Sequence, residues 1–316
     1  MSVNAPSVSA GEALELLRAG WRAQAAGGLT ASWMLHGRPG VGKTQVVETL
    51  AREVGATLFD LRLTTIEPQD LRGLPYYDHE TRRTLWYPPE DLPRAGGGPA
   101  ILFLDELTSA APELQPTVYG LRQERRVGRN VLPPDTFIVA AGNAVEDGAT
   151  AYELGTALSD RLVHIVVRAS AGDWVERHAA ERGIDPAVAA FIRTRPDLLE
   201  TTEATLTAGK TVAATPRSWE RISRIMGAVG DRVLRDRMIA GTVGTEVGAE
   251  FAALADDLAA TLRVDDMLTV RQADRWALYP TSLHDSNALC CAICRDTSRV
   301  PHACRSRNSP RPASNC

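Results

Sequence analysis

The chain has 316 residues, of which 44% are hydrophobic and 23% charged, so it is long enough to bury a sizeable core. Its 35 basic and 39 acidic residues give a formal net charge of −4, which implies no general affinity for nucleic acid or for acidic membranes. The N-terminal residues lack the basic and apolar segments of a signal peptide, and no apolar run approaches the roughly 18 residues of a membrane helix. We therefore expect a cytoplasmic protein that makes no use of a membrane.

The first predicted elements surround a glycine-rich loop. A helix is predicted over about residues 11–25, where the apolar residues share one face. A short apolar strand at residues 33–35 then leads into the sequence GRPGVGKT at residues 37–44. Beyond this loop, apolar residues recur at helical spacing as far as Gly55. A strand before such a loop and a helix after it are the context in which the pattern binds nucleotide phosphates.

The loop supplies groups for both the phosphates and a metal ion. Glycines let the backbone curl so that several N–H groups point at phosphate oxygens. Lys43 would reach the β and γ phosphates, and the hydroxyl of Thr44 would bind Mg²⁺. The residues predicted to bind the nucleotide are Gly37, Arg38, Pro39, Gly40, Val41, Gly42, Lys43, Thr44 and Gln45.

A second copy of the letters GKT, at residues 209–211, serves as a comparison. Ala204 stands where the first glycine of the pattern would be, and no apolar strand precedes it. We therefore predict an exposed loop there.

A second buried strand places two carboxylates next to each other. Residues 101–104 are continuously apolar, as expected of a parallel strand that is covered on both faces, and they end at Asp105 and Glu106. Asp105 would hold Mg²⁺, through water, and Glu106 would polarise the water that attacks the γ-phosphate. A kinase for small molecules has less need of the second carboxylate, so Glu106 favours hydrolysis.

Three further segments complete the predicted sheet. Residues 137–141 form a buried strand followed by Asn143, which could position the attacking water and could equally be a turn residue. Residues 162–167 form another strand, and the alternation over residues 57–63 is typical of an edge strand. The predicted fold class is α/β, a P-loop NTPase core with a five-stranded parallel sheet, followed by a small all-α domain.

Two insertions between these strands are predicted to form hairpins. In the first, residues 74–77 and 84–87 flank a polar turn. In the second, residues 127–131 turn back before the strand that begins near Phe137.

The ordered segments GRPGVGKT, ILFLDE, VAAGN, ALSDRLVHI and ATPRSW resemble those of the AAA+ ATPases, and the two hairpins resemble insertions of the MoxR-like branch. The resemblance implies an α/β nucleotide-binding core over residues 1–168 and a helical lid over residues 169–265. Residues 266–316 are then a tail, and its last 30 or so residues are predicted to be disordered because they are polar and rich in Pro and Ser. The implied ligands are ATP and Mg²⁺.

The resemblance also implies two arginine roles. Arg161 matches the arginine finger, which reaches into the neighbouring subunit's nucleotide site, although Arg125, Arg126 and Arg129 compete for that role. Arg217 follows Thr215 and Pro216 at a predicted helix start and matches a lid arginine that contacts the γ-phosphate. The predicted catalytic residues are Lys43, Asp105, Glu106, Asn143, Arg161 and Arg217, and the predicted metal ligands are Thr44 and Asp105.

MoxR-like proteins are implied to be hexameric rings that mature or activate a partner protein, often one with a von Willebrand factor A domain. The resemblance therefore implies an ATP-driven, chaperone-like remodeller. One alternative is a nucleic-acid motor or initiator, in which a cluster of arginines at Arg122, Arg125, Arg126 and Arg129 meets phosphates, although the net charge argues against it. A less favoured alternative is a P-loop kinase.

The predicted tail differs in composition from the rest of the chain. All five cysteines lie at or beyond Cys290, and Cys291, Cys294, His302 and Cys304 could bind zinc. Their spacing fits no established zinc module, because one residue between His302 and Cys304 is cramped for tetrahedral closure. We expect a tail outside the folded core.

Overall fold

The structure, a computed structural model, describes residues 3–143 and 162–261. The chain divides into two units. The first comprises the chain up to Ala169 together with Thr202–Thr207, and the second comprises Ser170–Thr201 and the chain from Ala208 onward. The cysteine-rich tail, and with it the zinc hypothesis, lies outside the described residues.

The described strands all belong to the first unit. They are β1 (Ser7–Val8), β2 (Ser32–His36), β3 (Thr57–Arg62), β4 (Leu74–Asp78), β5 (Arg83–Tyr87), β6 (Ala100–Asp105), β7 (Arg126–Val127), β8 (Asn130–Val131), β9 (Phe137–Gly142) and β10 (Leu162–Val167).

Six of these strands form one parallel sheet in the order β1-β10-β2-β9-β6-β3. The parallel α/β core and the edge position of β3 are confirmed, whereas the predicted count of five strands was wrong. The additional strand, β1, has two residues and pairs with the end of β10. A segment that short has no periodicity from which it could be predicted.

The described helices follow in chain order. They are α1 (Ala10–Ala25), α2 (Lys43–Val54), α3 (Pro68–Arg72), α4 (Gln115–Gln123), α5 (Ala171–Asp173, Trp174–Ala179 and Ala180–Arg182, the middle part being π-helical), α6 (Pro186–Thr194), α7 (Thr202–Thr207), α8 (Pro216–Ala228), α9 (Arg232–Val243) and α10 (Thr245–Thr261).

Alternate residues of the central strands enter two different cores. Ile101 and Phe103 of β6 lie in the cluster that contains residues of α1 and α2. Leu102 and Leu104 lie in the cluster on the other face, with residues of α4. Both faces of the strand are therefore buried, which explains why its sequence is continuously apolar.

The two predicted hairpins are confirmed. In the first, β4 pairs with β5 in antiparallel register, and nearly every residue of both strands is exposed. Gly73 precedes it with φ 85°, and a Cβ there would lie 1.9 Å from the carbonyl oxygen of Tyr87, so only glycine fits. In the second, β7 pairs with β8. Asn130 donates from Nδ2 to the Arg72 carbonyl at 3.1 Å, which ties the second hairpin to the base of the first.

The second unit packs around a buried tryptophan. Trp219 of α8 is fully buried, with ring centroids 5.2 Å from Phe191 and 5.6 Å from Phe251. Its Nε1–H donates to the Leu198 carbonyl at 2.9 Å.

Helix α6 ends at Thr194, because Arg195 precedes Pro196 and has the non-helical angles φ −121° and ψ 69°. The short helix α7 was not predicted. The second GKT sequence lies in an exposed turn and loop, as expected. In the described part of the chain, no helix is long and apolar enough to cross a membrane.

Candidate functional site

The predicted nucleotide site lies at one edge of the parallel sheet. Strand β2 leads into the loop that begins at Gly37, β6 ends at Asp105, and Asn143 directly follows β9. Strands β2 and β6 flank β9 in the sheet. Because carboxyl ends of parallel strands meet at the same edge, residues distant in sequence converge there.

The glycine-rich loop has a conformation that few other residues could adopt. Gly40 and Gly42 have φ values of 83° and 104°, in the left-handed region. A Cβ at Gly37 would lie 2.4 Å from the carbonyl oxygen of Val167. Gly42 is the N-cap of α2 and provides no side-chain cap for the amides of its first turn. These N–H groups and the helix dipole form the kind of cradle that binds phosphate.

Lys43 joins this loop to the end of β9. Its Nζ donates to the carbonyl oxygens of Gly37 and Arg38, the latter at 3.0 Å, and to Oδ1 of Asn143 at 2.8 Å. The side chain is buried, with 8% of the residue's surface exposed. The predicted phosphate-binding lysine and Asn143 are therefore neighbours.

Oxygen ligands suited to Mg²⁺ lie beside the loop. Thr44 donates from Oγ1 to Oδ2 of Asp105 at 3.3 Å. The other carboxylate oxygen of Asp105 accepts from the main-chain N–H of Glu106 at 2.8 Å. A hydroxyl and a carboxylate form the hard donor set that Mg²⁺ prefers, so the residues present fit this ion.

A third carboxylate, which the sequence analysis did not single out, strengthens this fit. Asp60 lies on β3, and its pKa is raised by burial and then by the charge of Asp105, with Arg62 partly offsetting both and Glu48 adding to them. The raised pKa of Asp60 means that its negative charge is less favourable in the folded protein than in water. A divalent cation would offset that cost.

Glu106 lies at a tight turn and is held from the neighbouring strand. Its φ of 58° is in the left-handed region, which is uncommon for a residue with a side chain. The hydroxyl of Thr64, just beyond the end of β3, donates to Oε2 of Glu106. Nε of Arg62 lies 3.8 Å from Oε1 of Glu106. The carboxylate predicted to act on water is thus engaged by residues of β3 and the turn after it.

Asn143 is positioned through its main chain. Oγ1 of Thr108 donates to the Asn143 carbonyl at 2.9 Å and accepts from the Asn143 N–H at 3.0 Å. A Cβ at the preceding Gly142 would lie 2.6 Å from this threonine and 2.9 Å from Met34. The glycine therefore allows β9 to approach Thr108 closely enough for both hydrogen bonds.

The arginines predicted from the resemblance are not all placed. Arg161 lies outside the described residues. Arg217 is exposed in the first turn of α8, where Thr215 accepts from the Ser218 N–H at 3.2 Å and Pro216 starts the helix, as predicted.

Two of the competing arginines have local partners. Arg125 is partly buried, its guanidinium donates to the Thr136 carbonyl, and burial lowers its pKa. Arg126 donates to the Gly128 carbonyl within the second hairpin, while Arg129 is exposed. These contacts weaken the case for Arg125 as a finger, and they weaken the case for a continuous basic surface.

Part of the chain is similar to a known protein family. Residues 32–162 match the family model described as AAA domain (dynein-related subfamily). The chain is also 31% identical over 178 residues to the chaperone MoxR1 of Mycobacterium tuberculosis, a match that covers 54% of this chain and 45% of that protein. The part of the chain that carries the predicted nucleotide site is therefore similar to AAA+ proteins.

Other matches are shorter or more distant. The chain is 38% identical over 117 residues to the human ATPase family gene 2 protein homolog B, which covers 37% of this chain and 13% of that protein. The chain thus spans less than half the length of each of these curated relatives. A solved structure of a Thermotoga maritima RuvB mutant matches with a TM-score of 0.44 and 14% identity, over 77% of this chain and 69% of that one.

Replacing Asp60 by Asn tests whether charge accumulates at the site. A carboxyl whose folded pKa is raised destabilises the fold at pH values above its unfolded pKa, where the folded state still favours the proton. We therefore expect Asp60→Asn to raise the thermal midpoint at pH 7.5 and to lose this advantage as the pH falls through the folded pKa towards 4. The same change should weaken the dependence of activity on Mg²⁺. Asp91→Asn, at an exposed loop residue, is the control and should change neither. A lower midpoint at pH 7.5 for Asp60→Asn would contradict this account.

Replacing Thr64 by Val tests whether the hydrogen bond from Thr64 restrains the Glu106 carboxylate. Loss of the hydroxyl frees the carboxylate to accept a hydrogen bond from water, so we expect the basal rate of ATP hydrolysis to rise several-fold, with nucleotide affinity little changed. Thr64→Ser keeps the hydroxyl and should keep the basal rate. An equal loss of activity in both variants would show that Thr64 supports the fold of the turn instead.

Proposed function

We propose that this chain binds and hydrolyses ATP and, as an oligomer, uses that energy to remodel a partner protein. The observation that carries the proposal is the meeting of Lys43, Thr44, Asp105, Glu106 and Asn143 at one edge of the sheet. Phosphate-binding, metal-binding and water-activating groups are all among them. The similarity of residues 32–162 to the AAA domain family supports nucleotide binding.

In the proposed mechanism each residue has one task. The loop N–H groups and Lys43 bind the phosphates, and Thr44 and Asp105 hold Mg²⁺, which offsets negative charge on the phosphates when it is bound. Glu106 accepts a proton from the attacking water, and Asn143 orients that water. Arg161 of a neighbouring subunit, on the resemblance alone, stabilises charge that develops on the γ-phosphate.

The exposed first hairpin supports a role in contacting a protein client. Leu74 and Tyr87 are directly opposite each other across the hairpin and are 67% and 63% exposed, and Tyr77 is 65% exposed. Exposed apolar and aromatic side chains gathered on one small element are typical of protein-binding surfaces. The resemblance suggests that the client is a protein with a von Willebrand factor A domain and that the chain forms a hexameric ring. We include both in the proposal.

ATP hydrolysis is tested first with two variants that should differ in their effect on ATP binding. Glu106→Gln should keep ATP binding and lose hydrolysis by a factor of about a hundred or more, because it removes only the proton acceptor. Lys43→Ala should lose ATP binding as well, because the phosphates lose a charged partner. Binding is measured by fluorescence titration and turnover by phosphate release. Normal turnover in Glu106→Gln would contradict the assigned role.

Shared sites are tested by mixing inactive subunits. Arg161→Ala subunits should be inactive alone, by a factor on the order of a thousand. They should regain part of the rate when mixed with Lys43→Ala subunits, which supply an intact arginine to the neighbouring site. Activity per subunit should also rise with protein concentration, with mass measured alongside. An activity per subunit that does not change with protein concentration, together with a monomeric mass in the presence of ATP, would contradict the proposed ring.

Client contact is tested with a matched pair of double variants. Leu74→Ser with Tyr87→Ser should leave basal ATP hydrolysis unchanged and abolish ATP-dependent suppression of aggregation of a heat-denatured test protein. The control, Val233→Ser with Leu234→Ser, changes two residues of the second unit that are 60% and 54% exposed and should retain this activity. Equal loss in both double variants would argue against a specific role of the hairpin.

A further inference from the structure

The second residue of the glycine-rich loop forms an ion pair with a distant part of the chain. Nη2 of Arg38 lies 2.8 Å from Oε2 of Glu203, and the two side chains are 28% and 78% exposed. Glu203 lies on α7, which belongs to the first unit although the residues before and after it belong to the second. The pair therefore joins the loop to a segment that is 165 residues away in sequence.

Arg38 lies at the end of the loop where the terminal phosphate is expected. Lys43 donates from Nζ to the Arg38 carbonyl at 3.0 Å. A lysine at this position of the pattern reaches the β and γ phosphates. The main chain of Arg38 is consequently next to the region that the γ-phosphate would occupy.

The guanidinium of Arg38 has two possible kinds of anionic partner. Its forked donors suit a phosphate as well as a carboxylate. An exposed carboxylate contributes little to such a pair, because water competes for both groups. Replacing the Glu203 carboxylate by a phosphate as the partner of Arg38 therefore costs little free energy. A variant without this carboxylate lacks a competitor of the phosphate.

We propose that Glu203 is a positioning residue that competes with the terminal phosphate of ATP for the guanidinium of Arg38. By this competition it sets the ratio of ATP affinity to ADP affinity. ADP lacks the third phosphate and so gains less from the release of Arg38. The inference rests on the proposed function, because it takes ATP as the ligand.

The experiment is a double-mutant cycle on nucleotide affinity. Glu203→Gln, Arg38→Ala and the double variant are titrated with ADP and with a non-hydrolysable ATP analogue at low ionic strength. We expect Glu203→Gln to tighten binding of the ATP analogue about threefold and to leave ADP binding unchanged. In the Arg38→Ala background the same change should have no effect, because the guanidinium that Glu203 acts through is absent. The threefold effect should shrink as salt is added.

A matched control separates this effect from a general change of charge. Glu53 pairs with Arg18 at 2.7 Å in the same unit, so Glu53→Gln removes a carboxylate from a similar ion pair, and it should leave both affinities unchanged. Thermal midpoints of all variants are measured alongside. Three results would overturn the inference: no change in Glu203→Gln, an equal change for both nucleotides, or the same change without Arg38. If the unmodified protein binds neither nucleotide, the proposed function fails and this inference fails with it.

Discussion

The arrangement of the site depends on one buried cation, the ammonium of Lys43. Its acceptors include the carbonyl oxygens of Gly37 and Arg38 and the side chain of Asn143, which come from two different segments of the chain. A buried ammonium is costly unless its donors are satisfied, so these contacts constrain the loop and the end of β9 together. The parallel pairing of β2 with β9 makes this possible, because it places Gly142 opposite His36, the residue before the loop. The sheet register and the lysine contacts therefore support each other.

The carboxylates near the loop require a different explanation. Burial makes the charge of Asp60 costly, and the nearby charge of Asp105 adds to that cost. A fold selected for stability alone would not place two carboxylates there, whereas a site that binds a divalent cation benefits from both. Thr64 and Arg62 engage Glu106 at the same edge. The charge of Asp60, close to the expected reaction, is therefore unfavourable without a cation, whereas Glu106 already has partners.

The first hairpin serves no comparable need of the fold. The strands of the first hairpin pair only with each other among the described residues, and Leu74, Tyr77 and Tyr87 face solvent. Apolar surface of this kind contributes nothing to the stability of the first unit and carries a risk of aggregation. The proposed client contact rests on these exposed side chains, whereas the proposed nucleotide binding rests on buried polar ones.

The sequence by itself determined the central strands and the residues of the nucleotide loop. Continuous apolar runs predicted the central strands because both of their faces are buried, and the loop pattern predicted Lys43 and Thr44 because its glycines allow the backbone to turn its N–H groups towards a phosphate. Only the tertiary structure decided which side chains surround them. Thr64 and Glu106 are 42 residues apart, and Arg38 and Glu203 are 165 apart, so no local pattern links either pair. The raised pKa of Asp60 likewise depends on the register of β3 against β6. Periodicity reports which face of an element is buried, whereas the neighbours across that face depend on strand order and register, which are properties of the whole fold.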